Sequence, residues 1–329
     1  MSELHKFLFE GLPVRGMVVR LTDAWTEILK RRAQSSSGPY PAPVQALLGE
    51  MAAAGALMQS NIKFDGALLL QVFGDGPVKL AVAEVQSDLS LRATATVQGE
   101  VPADAGLAAM LNVHGQGRCA VTLDPQGRQP GQQPYQGVVP LSDADGQAMQ
   151  SLAQALQLYM RQSEQLETTL VLAADDQVAA GLLIQRMPVK GEANLAAATE
   201  SEQSGQDAIG LNEDYNRIAT LASSLTRDEL LTLDVETILR RLFWEEKLMR
   251  FVPQQDEEHP RFACTCSRDR VASMLVSLGS EEVESILEER GSIEVGCDFC
   301  GKQYEFDPID AAQLFTEAGK QPPTSTNVQ

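Results

Sequence analysis

Apolar and polar residues in the first 185 positions alternate between helical and strand-like patterns. The Ala-, Leu- and Met-rich segment at residues 43–61 has helical spacing. Two apolar runs then flank residues 74–77, where Gly-Asp-Gly-Pro predicts a tight turn and hence a β-hairpin. A second hairpin or connection is predicted between CAVTLDP and YQGVVPL, because the residues between them are nearly all turn formers.

A helix at about residues 144–163 and a strand around Leu170 complete this region. Helices interspersed with hairpins predict an α+β fold, with a mixed α/β core domain at residues 1–188. The chain has 329 residues, of which 43% are hydrophobic, so it has ample material for two or three packed cores.

The pattern changes after Pro188. Residues 189–210 have no aromatic residue and many Ser, Glu and Gln, which predicts a mobile linker. Thr226 and Glu229 then form a capping-box pattern, and Asp234 is a second possible helix N-cap. We therefore predict that residues 189–250 form a flexible linker followed by short amphipathic helices.

One of these short helices carries an apolar stripe. Its members recur at helical spacing and are Val235, Ile238, Leu239, Leu242 and Phe243. A stripe of this kind must pack on another surface. The plainest interpretation is that it forms ordinary structural core.

Residues 251–318 are predicted to form a compact C-terminal unit that holds four of the five cysteines. Two short helices are expected, the second with Ser280 as its N-cap and Gly291 as its stop. SIEVGCDFCGKQYEFD then has the pattern of a small hairpin around a cysteine knuckle. The last residues, 319–329, have nothing to bury and are predicted to be disordered.

Charge narrows the range of possible partners. The net charge is −19 and the sequence pI is about 4.6, which disfavours binding to phosphate backbones. No segment has the pattern of a secretory signal or a membrane span. We therefore expect a cytoplasmic protein that binds neither nucleic acid nor membranes. In that reducing compartment, clustered cysteines indicate metal binding or redox work rather than permanent disulfides.

The clustered cysteines form one C-x-C pair, Cys264 and Cys266, and one C-x-x-C pair, Cys297 and Cys300, separated by 30 residues. Four thiolates can complete a tetrahedral zinc site, and Gly301 after the second pair is typical of a zinc knuckle. We predict one zinc ion per chain. The metal would also stabilise a unit that is too small to fold on its core alone.

The same spacing permits a redox switch, because the two sulfurs within each pair are near enough to form a disulfide. Three nearby basic residues, Arg268, Arg270 and Lys302, could favour the thiolate form that oxidants attack. Oxidation would remove the zinc ligands and unfold the unit. A zinc staple that never changes state is the alternative.

The segment CTCSRDRVASMLVSLGSEEVESILEERGSIEVGCDFCGKQYEFD closely resembles the zinc module of the 33 kDa heat shock protein family, the redox-regulated cytoplasmic holdase chaperones. Five further segments resemble the same family, namely RGMVVRL, KFDGALLLQVFGDGPVKL, YQGVVPL, YMRQSEQLETTL and LLTLDVETILRRLFWEE. The resemblance covers nearly the whole chain. The sequence departs from the family pattern at residues 189–210, where the linker is longer and more polar than expected.

The resemblance implies a non-enzymatic, ATP-independent holdase. It implies that the four clustered cysteines bind zinc when reduced, and that oxidation pairs Cys264 with Cys266 and Cys297 with Cys300. Peroxide or hypochlorous acid, together with unfolding conditions, would release zinc and destabilise the linker. The apolar stripe would be covered in the reduced state and freed in the oxidised one.

The resemblance also implies the partners. The active form would be a homodimer that binds unfolding client proteins and later passes them to an ATP-dependent foldase chaperone. The domain at residues 1–188 would supply much of the client-binding and dimer surface. Residues 251–318 would be the redox-switch domain.

Other chemistries fit the sequence less well. Cys119 follows His114 by five residues, but a lone cysteine at the start of a strand is more typical of a buried small hydrophobe. The sequences GDGP and HGQG fit turns better than phosphate loops. A thiol-disulfide oxidoreductase using Cys297 and Cys300 would need that pair at a helix N-terminus. A zinc-ribbon binding module for nucleic acid would need a basic surface.

Overall fold

The computed structural model describes residues 1–35, 37–62, 64–127, 133–188, 203–251 and 259–318, with backbone alone for 203–212 and 316–318. It contains two large β-sheets, a small third sheet and ten helices within those ranges. The predicted α+β class is confirmed. In the described part of the chain, no helix is both long and apolar enough to span a membrane.

A five-stranded antiparallel sheet forms one layer of the fold, with strand order β10-β1-β2-β9-β8. Its strands are β1 (Glu3–Phe9), β2 (Val14–Leu21), β8 (Thr168–Ala174), β9 (Ala179–Arg186) and β10 (Leu248–Arg250). Both faces of this sheet are covered. Strand β9 is accordingly almost continuously apolar and does not alternate, which hides its strand signal in the sequence.

A six-stranded sheet forms the second large layer, with strand order β11-β5-β4-β3-β6-β7. Its strands are β3 (Gly66–Phe73), β4 (Val78–Gln86), β5 (Ser90–Val97), β6 (Arg118–Pro125), β7 (Tyr135–Pro140) and β11 (Arg261–Phe262). Both predicted hairpins are confirmed, as β3–β4 and β6–β7. A short helix, α3 (Leu107–Leu111), lies between β5 and β6.

Helix α2 (Ala42–Gln59) lies between the two sheets and is buried along nearly its whole length. It contacts strands of both sheets, which explains why nearly all of its residues are apolar. Glycines permit this close approach: a Cβ on Gly49 would come within 2.4 Å of the Ala174 Cβ, and one on Gly55 within 2.8 Å of Val85. The helix predicted at residues 43–61 is confirmed.

Two other helices flank this core. Helix α1 (Asp23–Gln34) follows β2, and helix α4 (Leu152–Ser163) precedes β8. The predicted start of α4 at residue 144 is wrong. Ser151 begins the helix as its N-cap, in a capping box with Gln154, and the preceding residues form a turn closed by a bridge between Ser142 and Ala148.

Three helices cover the outer face of the five-stranded sheet, and together they are called the helical layer. They are α5 (Gln203–Ser223), α6 (Arg227–Thr232) and α7 (Val235–Phe243). Residues 203–210, which the sequence predicts to be part of the mobile linker, instead form the polar first turns of α5. The rest of that linker, 189–202, lies outside the described residues.

The predicted caps of α6 and α7 are confirmed. Thr226 and Glu229 form a reciprocal capping box, and Asp234 accepts a hydrogen bond from the Thr237 backbone N–H. The stripe on α7 is buried against the five-stranded sheet. Phe243 contacts two strand residues, with ring centroids 5.0 Å from Phe9 and 6.2 Å from Phe7.

The C-terminal unit contains α8 (Arg268–Leu278), α9 (Ser280–Arg290), α10 (Pro308–Ala318) and a hairpin of β12 (Ile293–Gly296) and β13 (Gln303–Phe306). The two predicted helices and the hairpin are confirmed, and Gly291 ends α9 in the left-handed conformation. Ser280 is not the N-cap of α9. Gly279 takes that position, and Ser280 is already helical. The predicted disordered tail, 319–329, lies outside the described residues.

Two short strands cross the boundaries predicted between domains. β10, from the segment 189–250, pairs with β1, and β11, from the segment 251–318, pairs in parallel with β5. Each later segment is thus fastened to a sheet of the N-terminal region. The division at residues 188, 250 and 318 stays a prediction.

Candidate metal centre

Two short pieces of backbone bring the four clustered cysteines together. Cys264 and Cys266 lie in the extended segment between β11 and Ser267, whose side chain caps α8. Cys297 and Cys300 lie in the turn of the β12–β13 hairpin. This turn is closed by hydrogen bonds from Gly301 N–H to the Cys297 carbonyl (2.8 Å) and from Cys297 N–H to the Lys302 carbonyl (2.9 Å).

The positive φ of Gly301, 72°, explains the glycine after the second cysteine pair. A residue with a side chain would be strained at that position. The glycine of the sequence motif C-x-x-C-G therefore favours this turn.

The four sulfur atoms lie within 4.8 Å of one another, and in the described part of the chain no other cluster of metal-ligating side chains is as tight. Cys264 Sγ lies 3.6 Å from Cys297 Sγ, and Cys266 Sγ lies 3.4 Å from Cys300 Sγ. A tetrahedral zinc site with Zn–S bonds of about 2.3 Å separates its sulfurs by about 3.8 Å. The arrangement could therefore hold one metal ion.

The thiols influence one another's ionisation. Burial acts to raise the pKa of Cys266, but hydrogen bonds from Tyr304 and the neighbouring sulfurs outweigh it and lower the pKa to about 7. Burial raises the pKa of Cys300 and of Cys297. Cys266 thus ionises more readily than Cys297 and Cys300 do. A divalent cation would be needed to stabilise all four as thiolates.

Two groups that the sequence does not single out contact the sulfurs. The Tyr304 hydroxyl lies 3.2 Å from Cys266 Sγ, and Arg92 Nη1 lies 3.6 Å from Cys264 Sγ. Tyr304 lies on β13, so the alternation of that strand could have suggested it. Arg92 is 172 residues away along the chain and carries no local signal.

The predicted basic residues have other partners. Arg268 contacts Asp310, the Glu305 carbonyl and the Phe306 ring, and Arg270 donates to Thr265. Lys302 lies over the Tyr304 ring at 5.0 Å. Arg268 and Arg270 thus make these contacts within the C-terminal unit, and among the described residues Arg92 is the arginine that contacts a sulfur.

The core of the C-terminal unit is small. Its buried apolar residues are Leu275, Val283, Ile293, Tyr304, Phe306 and Ala311. A cluster of this size gives limited hydrophobic stabilisation, and units of about fifty residues commonly depend on a metal or a disulfide. The cysteines are therefore well placed to contribute to folding.

Cys119 is separate from this site, as predicted. It lies on β6, has no exposed surface, and burial raises its pKa to about 12. His114 lies in an exposed turn, where its backbone N–H and that of Gln116 donate to Asp75. GDGP and HGQG are therefore turns that Asp75 joins, and the cysteine is part of the core.

Comparison with known proteins assigns the chain to a family. A family model described as Hsp33 protein matches residues 2–307. A 33 kDa chaperonin from Chromobacterium violaceum is 42% identical over 314 residues, which are 95% of this chain and 94% of the relative. One from Nitrosococcus oceani is 41% identical over 325 residues, 99% of this chain and 98% of the relative.

A solved structure has the same fold. The 33 kDa chaperonin of Thermotoga maritima, a heat shock protein 33 homologue, superposes with a TM-score of 0.69 over 97% of this chain and 99% of its own, at 21% identity. The matches in sequence span the two cysteine pairs and the sheets that surround α2. This chain, in which four cysteines gather beside a two-sheet core, belongs to the Hsp33 family of chaperones.

Proposed function

We propose that the protein is a redox-regulated, ATP-independent holdase that works in the cytoplasm. In its reduced state Cys264, Cys266, Cys297 and Cys300 hold one zinc ion and the protein is inactive. In its oxidised state the C-terminal unit unfolds and the protein binds unfolding clients. The observation that carries this proposal is the close approach of the four sulfurs in a unit with a small core.

Zinc is the metal that this donor set favours. Four thiolates in a tetrahedral arrangement suit zinc, and hard cations such as magnesium and calcium prefer oxygen ligands. When bound, the metal supplies folding free energy, about 10 kcal/mol or more in zinc-finger peptides. All four ligands come from the C-terminal unit, so the whole of that free energy would stabilise it.

Oxidation removes the ligands in pairs. Cys264 with Cys266, and Cys297 with Cys300, each form an S–S bond and lose two electrons to one molecule of peroxide. The O–O bond of the peroxide breaks, and with two protons it becomes two molecules of water. Complete oxidation therefore consumes two molecules of peroxide for each chain, and disulfide sulfurs are poor metal ligands.

The helical layer would transmit this change. The C-terminal segment, residues 251–318, follows β10 in the chain and includes β11, and β10 follows α7. Loss of order in the unit would pull on these short strands and free the α7 stripe together with the sheet face beneath it. The freed surfaces would bind apolar segments of clients and pair two chains into a dimer.

Residues 1–188 would supply most of the client-binding and dimer surface, and residues 189–250 and 251–318 would regulate access to it. Because no nucleotide is used, bound clients would leave by transfer to an ATP-dependent foldase. A holdase of this kind binds without turnover, so no enzymatic activity is proposed.

The test is light scattering of a chemically unfolded client, with a chelating dye recording zinc release in parallel. Reduced, zinc-loaded protein should not suppress aggregation. After warm peroxide treatment, suppression should appear as about one zinc ion leaves each chain. If the zinc leaves and the client still aggregates, or if suppression is equal before oxidation, the cysteines are a static staple and the proposal is wrong.

A further inference from the structure

The turn that contains Cys297 and Cys300 rests on strand β5 of the six-stranded sheet. Thr94 donates a hydrogen bond of 3.0 Å to the Asp298 carbonyl, and the Arg92 guanidinium lies 4.2 Å from the centre of the Phe299 ring. Both contacts involve residues between the two cysteines. Arg92 and Thr94 are two positions apart on one strand, so they share the face of the sheet opposite α2.

Arg92 joins three groups at once. One nitrogen donates to Glu84 on the neighbouring strand (2.6 Å), another lies 3.6 Å from Cys264 Sγ, and the ring of Phe299 covers the guanidinium. Glu84 and Arg92 are register partners on β4 and β5, and their side chains are only 11% and 13% exposed. A planar guanidinium suits this geometry because it can donate in two directions and stack at the same time.

The charges at this contact depend on the redox state of the cysteines. Four thiolates around one divalent cation would carry a net charge of −2, and Arg92 is the cation that meets them from the sheet. Disulfide sulfurs carry no charge and are weak acceptors, so oxidation would remove one of the three partners of Arg92. The hydrogen bond of an ionised pair is about twice as strong as that of a neutral one.

We propose that Arg92 is a positioning residue that latches the reduced cysteine centre onto β5, and that oxidation of Cys264 opens this latch. The inference rests on the proposed redox function but concerns a separate step, the docking of the cysteine turn. It assigns to the outer face of the six-stranded sheet a role in sensing whether the cysteines are reduced. Glu84 holds the Arg92 guanidinium in place, and the guanidinium in turn holds Phe299 and Cys264.

The experiment compares hydrogen exchange of backbone amides in the reduced, zinc-loaded full-length protein. Arg92→Lys keeps a positive charge beside Glu84 but cannot also donate to Cys264 and stack on Phe299. We expect amides at residues 261–264 and 297–301 to exchange at least about tenfold faster than in the wild type, which corresponds to about 1.4 kcal/mol. Zinc content and the melting temperature of the two-sheet core should stay at wild-type values.

A second variant distinguishes loss of the latch from the destabilising effect of an unpaired buried charge. Glu84→Gln combined with Arg92→Gln removes both charges, so no unpaired carboxylate remains buried, and it should loosen the same amides. The control is Arg118→Gln, on β6 of the same sheet, whose guanidinium stacks on Phe73 and does not contact the cysteine turn. It should leave the exchange rates unchanged.

The outcomes separate the latch from the rest of the switch. If Arg92→Lys retains wild-type protection of these amides, a positive charge beside Glu84 is all that the position requires, and the latch is refuted. Unchanged protection in the double variant refutes it too. Since exchange is measured in the reduced protein without client, failure of the holdase proposal would appear only in the aggregation assay and would leave this result standing.

Discussion

Truncation of Phe243 tests whether α7 is the cover that keeps the reduced protein inactive. The side chain is 2% exposed and meets the rings of Phe9 and Phe7, with centroids 5.0 Å and 6.2 Å away. Replacing a buried Phe by Ala costs about 3–5 kcal/mol, of which the edge-to-face contact with Phe9 accounts for about 0.5–1.5 kcal/mol. Phe243→Ala should therefore shift the equilibrium between covered and open states by roughly a hundredfold to a few thousandfold.

The expected result is a reduced protein that is active without oxidant. Phe243→Ala should bind a fluorescent apolar dye and suppress client aggregation while it retains its zinc, because the cysteine centre is untouched. The matched control is Trp244→Ala, the next residue along the chain, whose side chain is 73% exposed. It removes a larger aromatic group but should leave both signals at the reduced wild-type level.

One result would refute the reasoning. If urea unfolding shows that Phe243→Ala has lost the expected free energy, yet the reduced protein neither binds the dye nor suppresses aggregation, then loosening α7 does not expose the client surface. An equal gain of activity in Trp244→Ala would show that the effect is not specific to the buried contact.

Three further predictions concern the cysteines and one buried carboxyl. Cys297→Ser should weaken zinc binding by at least about a hundredfold in a chelator competition, since changes beyond the ligands already cost about 10- to 100-fold. Cys119, with its pKa raised by burial to about 12, should resist alkylation in the folded protein, as measured by mass spectrometry. Cys119→Ala should leave zinc release on oxidation unchanged. Burial on α2 raises the pKa of Glu50 from 4.5 to about 7, against the opposing effect of Arg227. The folded state therefore holds this proton more tightly, so the stability that Glu50 contributes is fully present below its unfolded pKa of 4.5 and is lost as pH rises to about 7. Urea unfolding at several pH values should show that the wild type loses more stability over this range than Glu50→Gln does.

The features that sequence predicts well are those with local causes. The capping box of Thr226 and Glu229 needs only four consecutive residues, and the α7 stripe needs only helical periodicity. The cysteine cluster was predictable because C-x-C and C-x-x-C-G each place two thiols within a few residues of each other, and two such pairs in one small unit have few other uses. The hairpins likewise follow from turn residues between apolar runs.

The features that sequence does not predict depend on distant partners. Ser280 has the composition of an N-cap, but the backbone of Gly279 had already taken that position. The helix that begins at Gln203 has a polar start like that of a linker, and its later turns pack on the five-stranded sheet. Arg92 contacts Cys264 only because parallel pairing of β11 with β5 brings their strands together, and no periodicity reports such a pairing.

The short strands β10 and β11 determine the order in which parts of the protein would unfold. β11 has two residues and β10 has three, so each contributes only a few backbone hydrogen bonds of about 0.5–1.5 kcal/mol. β11 lies next to the cysteines in the chain and would detach first, before β10 and the helical layer. An early stage of oxidation would thus open the edge of β5 at Ser90 and Leu91, where β11 had paired, while the five-stranded sheet is still covered. Such an edge presents unpaired backbone donors and acceptors, which can bind any extended chain whatever its side chains.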